Sequence, residues 1–200
     1  MLKRLAVAAL LVLIAAPVLA QNPPPLQRLR GTVEKLAGDT LTIRTQAGTD
    51  ANVALTPKTR IQTLVRKRLS DIKPGDFLAS TGIKGTDGRI HAIEVRIFPR
   101  PTPDGGRQFP WDLGSNSVMT NAMVGTVNKS PEGDVVHVKF KGGESEYSIG
   151  PNVPILAPAP GDRRLLKPGK AVFVGAARSA DGALTAVFMY VEKNGVKPPM

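Results

Sequence analysis

Shifted by 94 residues, this chain falls on itself. Gly31-Thr32-Val33 lands on Gly125-Thr126-Val127, Lys35 on Lys129, Pro57 on Pro151 and Ile61 on Ile155. Lys73-Pro74-Gly75 lands on Lys167-Pro168-Gly169, Asp87-Gly88 on Asp181-Gly182 and Ala92 on Ala186. Leu41 and Ile43 match Val136 and Val138 with a slip of one residue, and Gly82 matches Gly175 with another. Isolated Gly and Pro matches are cheap in a chain with 20 Gly and 18 Pro. A shared offset across a whole unit is not, and it means that one small structure is made twice. The units expected are residues 27–99 and 118–195. Between them, residues 100–117 form a Pro/Gly-rich connector expected to lack regular structure. Residues 196–200 are a tail.

Within one unit the apolar residues alternate in short runs punctuated by Gly, Pro and Asp. Thr40 to Thr45 puts Leu41 and Ile43 on one face and Thr42 and Arg44 on the other. Leu69-Ser70-Asp71-Ile72 makes one helical turn, which Pro74 stops from growing. Phe77 to Gly82 and Arg89 to Phe98 form a hairpin around Thr86-Asp87-Gly88. Five or six short strands are too few for an immunoglobulin-type sandwich. The expected fold is all-β: two tandem small OB-like Greek-key barrels. Each is marginal in core size, so mutual packing is expected to help.

In the last strand of the first unit, alternation groups His91, Ile93, Val95 and Ile97 on a core face, with Glu94 and Arg96 opposite. In the second unit Thr185, Val187, Met189 and Val191 form the core face, leaving Phe188 and Tyr190 outside. Two outward aromatics ask for cover. They are expected to pack on the other unit or on Phe109-Pro110-Trp111 of the connector.

The first twenty residues stand apart. Lys3 and Arg4 precede an unbroken apolar run from Leu5 to Ala16, and Val18-Leu19-Ala20 supplies small-type positions before Gln21. That is the pattern of a secretory signal peptide cleaved near Ala20/Gln21, so a periplasmic or secreted protein is expected. Residues 21–26 then form a short extended arm. No later stretch approaches the ~18 apolar residues of a spanning helix, so no membrane span is expected after cleavage. Without Lys3 and Arg4, 25 basic residues face 16 acidic ones, a net charge of +9. A basic exported protein suits an anionic envelope polymer or an envelope protein as partner, and nucleic acid is not expected in that compartment. Val65-Arg66-Lys67-Arg68 has no basic counterpart in the second unit, which reads Ala159-Pro160-Gly161-Asp162. Arg66, Lys67 and Arg68 are therefore the candidate contact for an anionic partner.

Catalytic chemistry finds no foothold. The chain has two histidines, His91 and His137, one per unit, and no cysteine. His91 is expected near the core face and His137 outside, with no reason to converge. Met119, Met123 and Trp111 raise the question of soft copper binding. Met123 falls on Leu29 at the repeat offset, which makes it core filling. No catalytic residue, cofactor or metal ligand is assigned. Nine aromatics at mostly core-like positions supply no stacking platform.

The segments LRGTVEKLAGDTLTIRTQAG, LSDIKPGDFLASTG, DGRIHAIEVRIFP, PWDLGSNSVMTNAMVGTV and LLKPGKAVFV resemble a bacterial exported family of unknown function with tandem small OB-like β-barrel domains. Members are sometimes labelled metal ABC transporter permease. The resemblance implies the barrel fold and carries no catalytic residues. The expected function is a non-enzymatic periplasmic binding or scaffolding protein, in contact with anionic envelope components or a protein partner. The alternative is an accessory metal-binding protein beside a metal transport system.

Overall fold

The computed structural model describes residues 26–102, 105–129 and 133–198. The expected signal peptide and all but the last residue of the expected arm lie outside them. The first copy supplies β1 (Gln27–Ala37), β2 (Thr40–Thr45), β3 (Asp50–Ala54), β4 (Arg60–Lys67), a 3₁₀ turn at Leu69–Asp71, β5 (Phe77–Lys84) and β6 (Ile90–Phe98). After β7 (Arg107–Pro110), the second copy repeats the series. It has β8 (Ser117–Asn128), β9 (Asp134–Phe140), β10 (Gly143–Ile149), β11 (Ile155–Pro160), a 3₁₀ turn at Arg163–Leu165, β12 (Ala171–Arg178) and β13 (Leu184–Val191).

The strands close into two five-stranded rings. In the first, β1 pairs β2, β2 pairs β3, β3 runs parallel to β13, β13 pairs β12, and β12 returns to β1. In the second, β8 pairs β9, β9 pairs β10, β10 runs parallel to β6, β6 pairs β5, and β5 returns to β8. Each ring encloses its own apolar core. Val33, Leu41, Ile43, Val53, Val174 and Met189 fill the first, and Leu78, Val95, Val136, Val138, Tyr147 and Ile149 fill the second.

The all-β, OB-like reading holds, but the units expected at 27–99 and 118–195 are not the barrels. Each barrel takes three strands from one copy and two from the other. The cause lies in β4 and β11. Each leaves its own barrel as an extended arm instead of folding back, and the two arms pair antiparallel, with Leu64 opposite Pro158. Leu64 and Pro158 are 94 residues apart, so a pseudo-twofold axis passes through this pair. Gly161 N–H donates to the Ile61 carbonyl, 3.1 Å, which sets odd-numbered residues of β11 toward β4. Pro158 and Pro160 therefore direct their donorless nitrogens to the opposite edge, where no β4 bond is lost.

The Lys-Pro-Gly turns close the exchange. Gly75 N–H donates to the Val124 carbonyl at 2.9 Å, and Gly169 N–H to the Val33 carbonyl at 2.8 Å. Each turn thus docks on the first strand of the other copy. Gly75 and Gly169 have φ of 89° and 81°, a left-handed conformation that disfavours side chains.

These bonds also correct the repeat register. Val33 corresponds to Val124, an offset of 91 in the first strand. The Gly31-Thr32-Val33 match to Gly125-Thr126-Val127 is thus not structural, and Met123 corresponds to Thr32 and not to Leu29. The register recovers because residues 129–133 between β8 and β9 form a longer connection than residues 38–39 between β1 and β2. The connector too is more ordered than expected: β7 pairs with β8, from Arg107↔Asn121 to Pro110↔Val118. In the expected tail, Val196 bridges back to Lys193 and packs on the central apolar cluster.

Candidate functional site

Two β-bulges decide which side chains meet between the barrels. In the β5–β6 ladder, Thr81 pairs Glu94 while Gly82 pairs Ala92, so Ile93 is the extra residue. In the β12–β13 ladder, Gly175 pairs Phe188 while Ala176 pairs Ala186, so Val187 is extra. A bulge inverts the two-residue alternation. Ile93 and Val187 are consequently exposed, at 41% and 36%. Both had been expected in the core, and so had His91, which is exposed and lies 3.2 Å from Asp87 Oδ1. Past the bulge Val95 returns to the core, and Glu94 and Arg96 turn toward the pseudo-twofold axis. They lie opposite Val95, as expected, and are nonetheless buried, 4% and 9% exposed.

Their counterparts in the second copy, 94 residues on, are Phe188 and Tyr190. At the seam the two pairs face a shared space. Tyr190 joins Leu64, Leu156 and Phe173 in a third apolar cluster, with Trp111 and Phe188 packed against it. The expectation that Phe188 and Tyr190 find cover beyond their own sheet is met by these neighbours. Phe188 contacts Phe173 at 6.1 Å between ring centroids and Tyr190 edge-on at 6.1 Å. Gly175 makes this possible, because a Cβ there would collide with the Phe188 ring.

A cavity of about 170 Å³ remains in the seam. Phe98, Phe109, Trp111, Phe173, Phe188 and Tyr190 line it, six of the chain's nine aromatic residues. Read along the sequence, they belong to different strands of both copies and to the connector, which is why they formed no visible platform. Ala79 and Thr81 of β5 and Met119 and Asn121 of β8 complete the opposite wall. Ala79 corresponds to Phe173, so the second copy is bulky where the first leaves room.

The connector is tied over this space by two arginines of β1. Arg30 Nη1 and Nη2 donate to Asp112 at 2.9 and 2.7 Å, a bidentate pair. Arg28 stacks on Trp111 with 3.9 Å from its guanidinium carbon to the ring centroid. Burial opposes ionisation of Asp112. The bonds and charge of Arg30, with the charge of Arg28, outweigh it and hold the carboxyl below its ordinary range. Glu94 shows the reverse balance: burial pushes its carboxyl up, against the pull of Arg96. Arg96 Nε donates to Glu94 Oε1, and the guanidinium sits 4.6 Å from the Tyr190 ring centroid. Burial also raises the Tyr190 hydroxyl, again against Arg96.

A second concavity, an open groove of about 820 Å³, runs along the outside of the second barrel between the β5–β6 turn and β9–β10. His137 lies there, partly exposed as expected, with Nδ1 3.3 Å from Glu146 Oε1. Lys84, Lys139 and Glu144 share the groove, so its charge is mixed. Beneath it, Gln108 Nε2 donates to Thr120 Oγ1 and Ser145 Oγ, both at 2.9 Å. The buried Tyr147 hydroxyl lies 2.5 Å from Thr120 Oγ1.

The candidate cluster Arg66, Lys67 and Arg68 is exposed. Arg66 lines a shallow groove with Leu156 and Lys197. Arg68 caps the 3₁₀ turn, donating from its backbone to Asp71 at 2.9 Å and from Nη2 at 3.3 Å. Its counterpart Asp162 caps the other turn with reversed charge, accepting from Arg164 N–H at 2.8 Å. Met119 lies in the seam, 3.8 Å from Thr81 Oγ1, and Met123 is half-buried outside the core expected for it. Among the described residues, no group of three or more His, Cys, Asp or Glu side chains is placed to hold a metal ion. None of the helices among them is long and apolar enough to cross a membrane. No protein-family model, curated protein or solved structure matches the chain.

Proposed function

We propose that this chain is a non-enzymatic binding protein of the bacterial envelope, and that its ligand enters the seam cavity between the two barrels. One observation carries the reading. Corresponding positions of the two copies have diverged where they face each other: Ala79 against Phe173, Glu94 against Phe188 and Arg96 against Tyr190. A fold that only needed gluing would be served by Phe and Tyr on both sides. Instead one wall is aromatic, the other carries an ion pair, and space is left between them. An apolar pocket with a few convergent polar groups is the common form of a small-ligand site. The signal-peptide pattern of residues 1–20 supports export, and the resemblance to an exported tandem-barrel family supports the envelope.

Trp111 is the chain's one tryptophan and lines the cavity, so its emission reports on occupancy. A cavity of this size accepts a single ring, as a ~150 Å³ apolar cavity accepts benzene. Toluene is expected to shift Trp111 emission and raise the melting temperature. Ala79→Phe fills the space with the residue the other copy already tolerates, and should abolish both effects without unfolding the protein. Unchanged toluene responses in that variant would refute the seam as the binding site.

A further inference from the structure

Resting on the seam as a ligand site, the geometry points to a ligand class: we infer that the cavity takes a small aromatic carboxylate, its ring among the seam aromatics and its carboxylate on the outer fork of Arg96.

The Arg96 side chain is buried, with 11% exposure, and it lines the cavity. Glu94 occupies Nε. Among the described residues, the Tyr190 hydroxyl is the other group that bonds the guanidinium, and no second carboxylate pairs with it. Guanidinium has five donors in a fixed plane and no means of losing its charge, so a buried one seeks acceptors on more than one edge. The Nη1/Nη2 edge is the one that matches a carboxylate, two parallel N–H···O bonds to two oxygens. No buried polar side-chain atom among the described residues lacks both solvent and a partner. Arg96 lines the cavity, which gives its remaining Nη donors a route to a ligand.

The fold does not require this arginine. Its counterpart is Tyr190, and Glu94 corresponds to Phe188, in a barrel that closes the same way. The charge is an addition to one copy. Around it, the cavity supplies an apolar, ring-sized lining from Phe109, Trp111, Phe173 and Phe188. Arg30 adds a second cation at the wall, already paired to Asp112. Glu94 is the feature that would oppose an anion. Its pairing with Arg96 Nε offsets that opposition.

Benzoate, benzamide and toluene separate the ligand class from the site. All three carry one ring, and benzoate alone carries the charge. Titrated into the wild-type protein and followed by Trp111 emission and calorimetry, benzoate is expected to bind at least about tenfold tighter than benzamide, the scale of a charge-assisted bidentate pair. The double variant Glu94→Gln/Arg96→Met removes the pair together and leaves no buried charge unpaired. It should lose the preference for benzoate over benzamide. Arg96→Lys, which keeps the charge and loses the fork, should lose most of the preference. Equal binding of benzoate and benzamide, or a preference that survives in either variant, would overturn the ligand class and leave the seam site standing provided toluene binds. If neither toluene nor benzoate perturbs Trp111, the seam reading and the ligand class fall together.

Discussion

Asp112 and Arg30 fasten the connector to the first barrel through two parallel hydrogen bonds. The carboxyl is held below its ordinary range, which fixes the sign of its pH dependence. A group with a lowered folded pKa contributes stability above its unfolded value and loses that contribution as pH falls through the folded one. Wild type should therefore melt higher than Asp112→Asn by a constant margin at neutral pH. The margin should shrink below about pH 4, where an unfolded Asp titrates. A gap independent of pH would mean that the carboxylate charge is not what holds the strap. Glu94 works the other way: with a raised folded pKa, its contribution is present below the unfolded Glu range and is lost as pH rises above it through the folded value. The two carboxyls that border the seam thus push stability in opposite directions with pH.

At the scale of elements, the bulges in β6 and β13 explain how much of the chain was legible. Alternation placed Leu41, Ile43, Val136 and Val138 correctly in the cores, because β2 and β9 are uninterrupted. In β6 and β13 it held past the bulges, with Val95, Ile97, Met189 and Val191 inward, and failed before them, at His91, Ile93, Thr185 and Val187. Nothing in the spacing of apolar residues marks that point, and nothing in it says that the other barrel covers the outer face that carries Glu94 and Arg96. Gly175 was the available signal: a glycine opposite the bulge, where Phe188 must lie flat on the backbone. Gly175→Ala should displace that ring and cost on the order of 1–3 kcal/mol, the range for overpacking a well-filled site. Thermal melts would read the loss, and an unchanged melting temperature would show that the strand can shift to admit a methyl group. The Lys-Pro-Gly turns were legible as turns. Their partners were not, because a turn's sequence states its own conformation and says nothing of which strand it docks on.

The exchange of strands makes the whole molecule one folding unit. Neither copy contains a complete barrel, so neither barrel can melt while the other persists. Calorimetry should show one transition, with calorimetric and van't Hoff enthalpies in agreement. Two resolved transitions would contradict the interlock. The repeat itself was visible in the sequence, and the barrel class followed from its short strands. Which strands close which barrel was not visible, since a duplicated unit offers each strand two equivalent partners and local pattern cannot choose between them. Consider, finally, the axis through Leu64 and Pro158. Had two separate identical chains exchanged strands in this way, every residue near the axis would face its own twin: Glu94 with a second Glu94, or Tyr190 with a second Tyr190. A self-complementary surface can be glue, but it cannot tell one end of a ligand from the other. Joining the copies through residues 100–117 lifts that restriction. It allows an acid and an arginine to face a phenylalanine and a tyrosine across a single opening, giving the pocket a polar side and a greasy one.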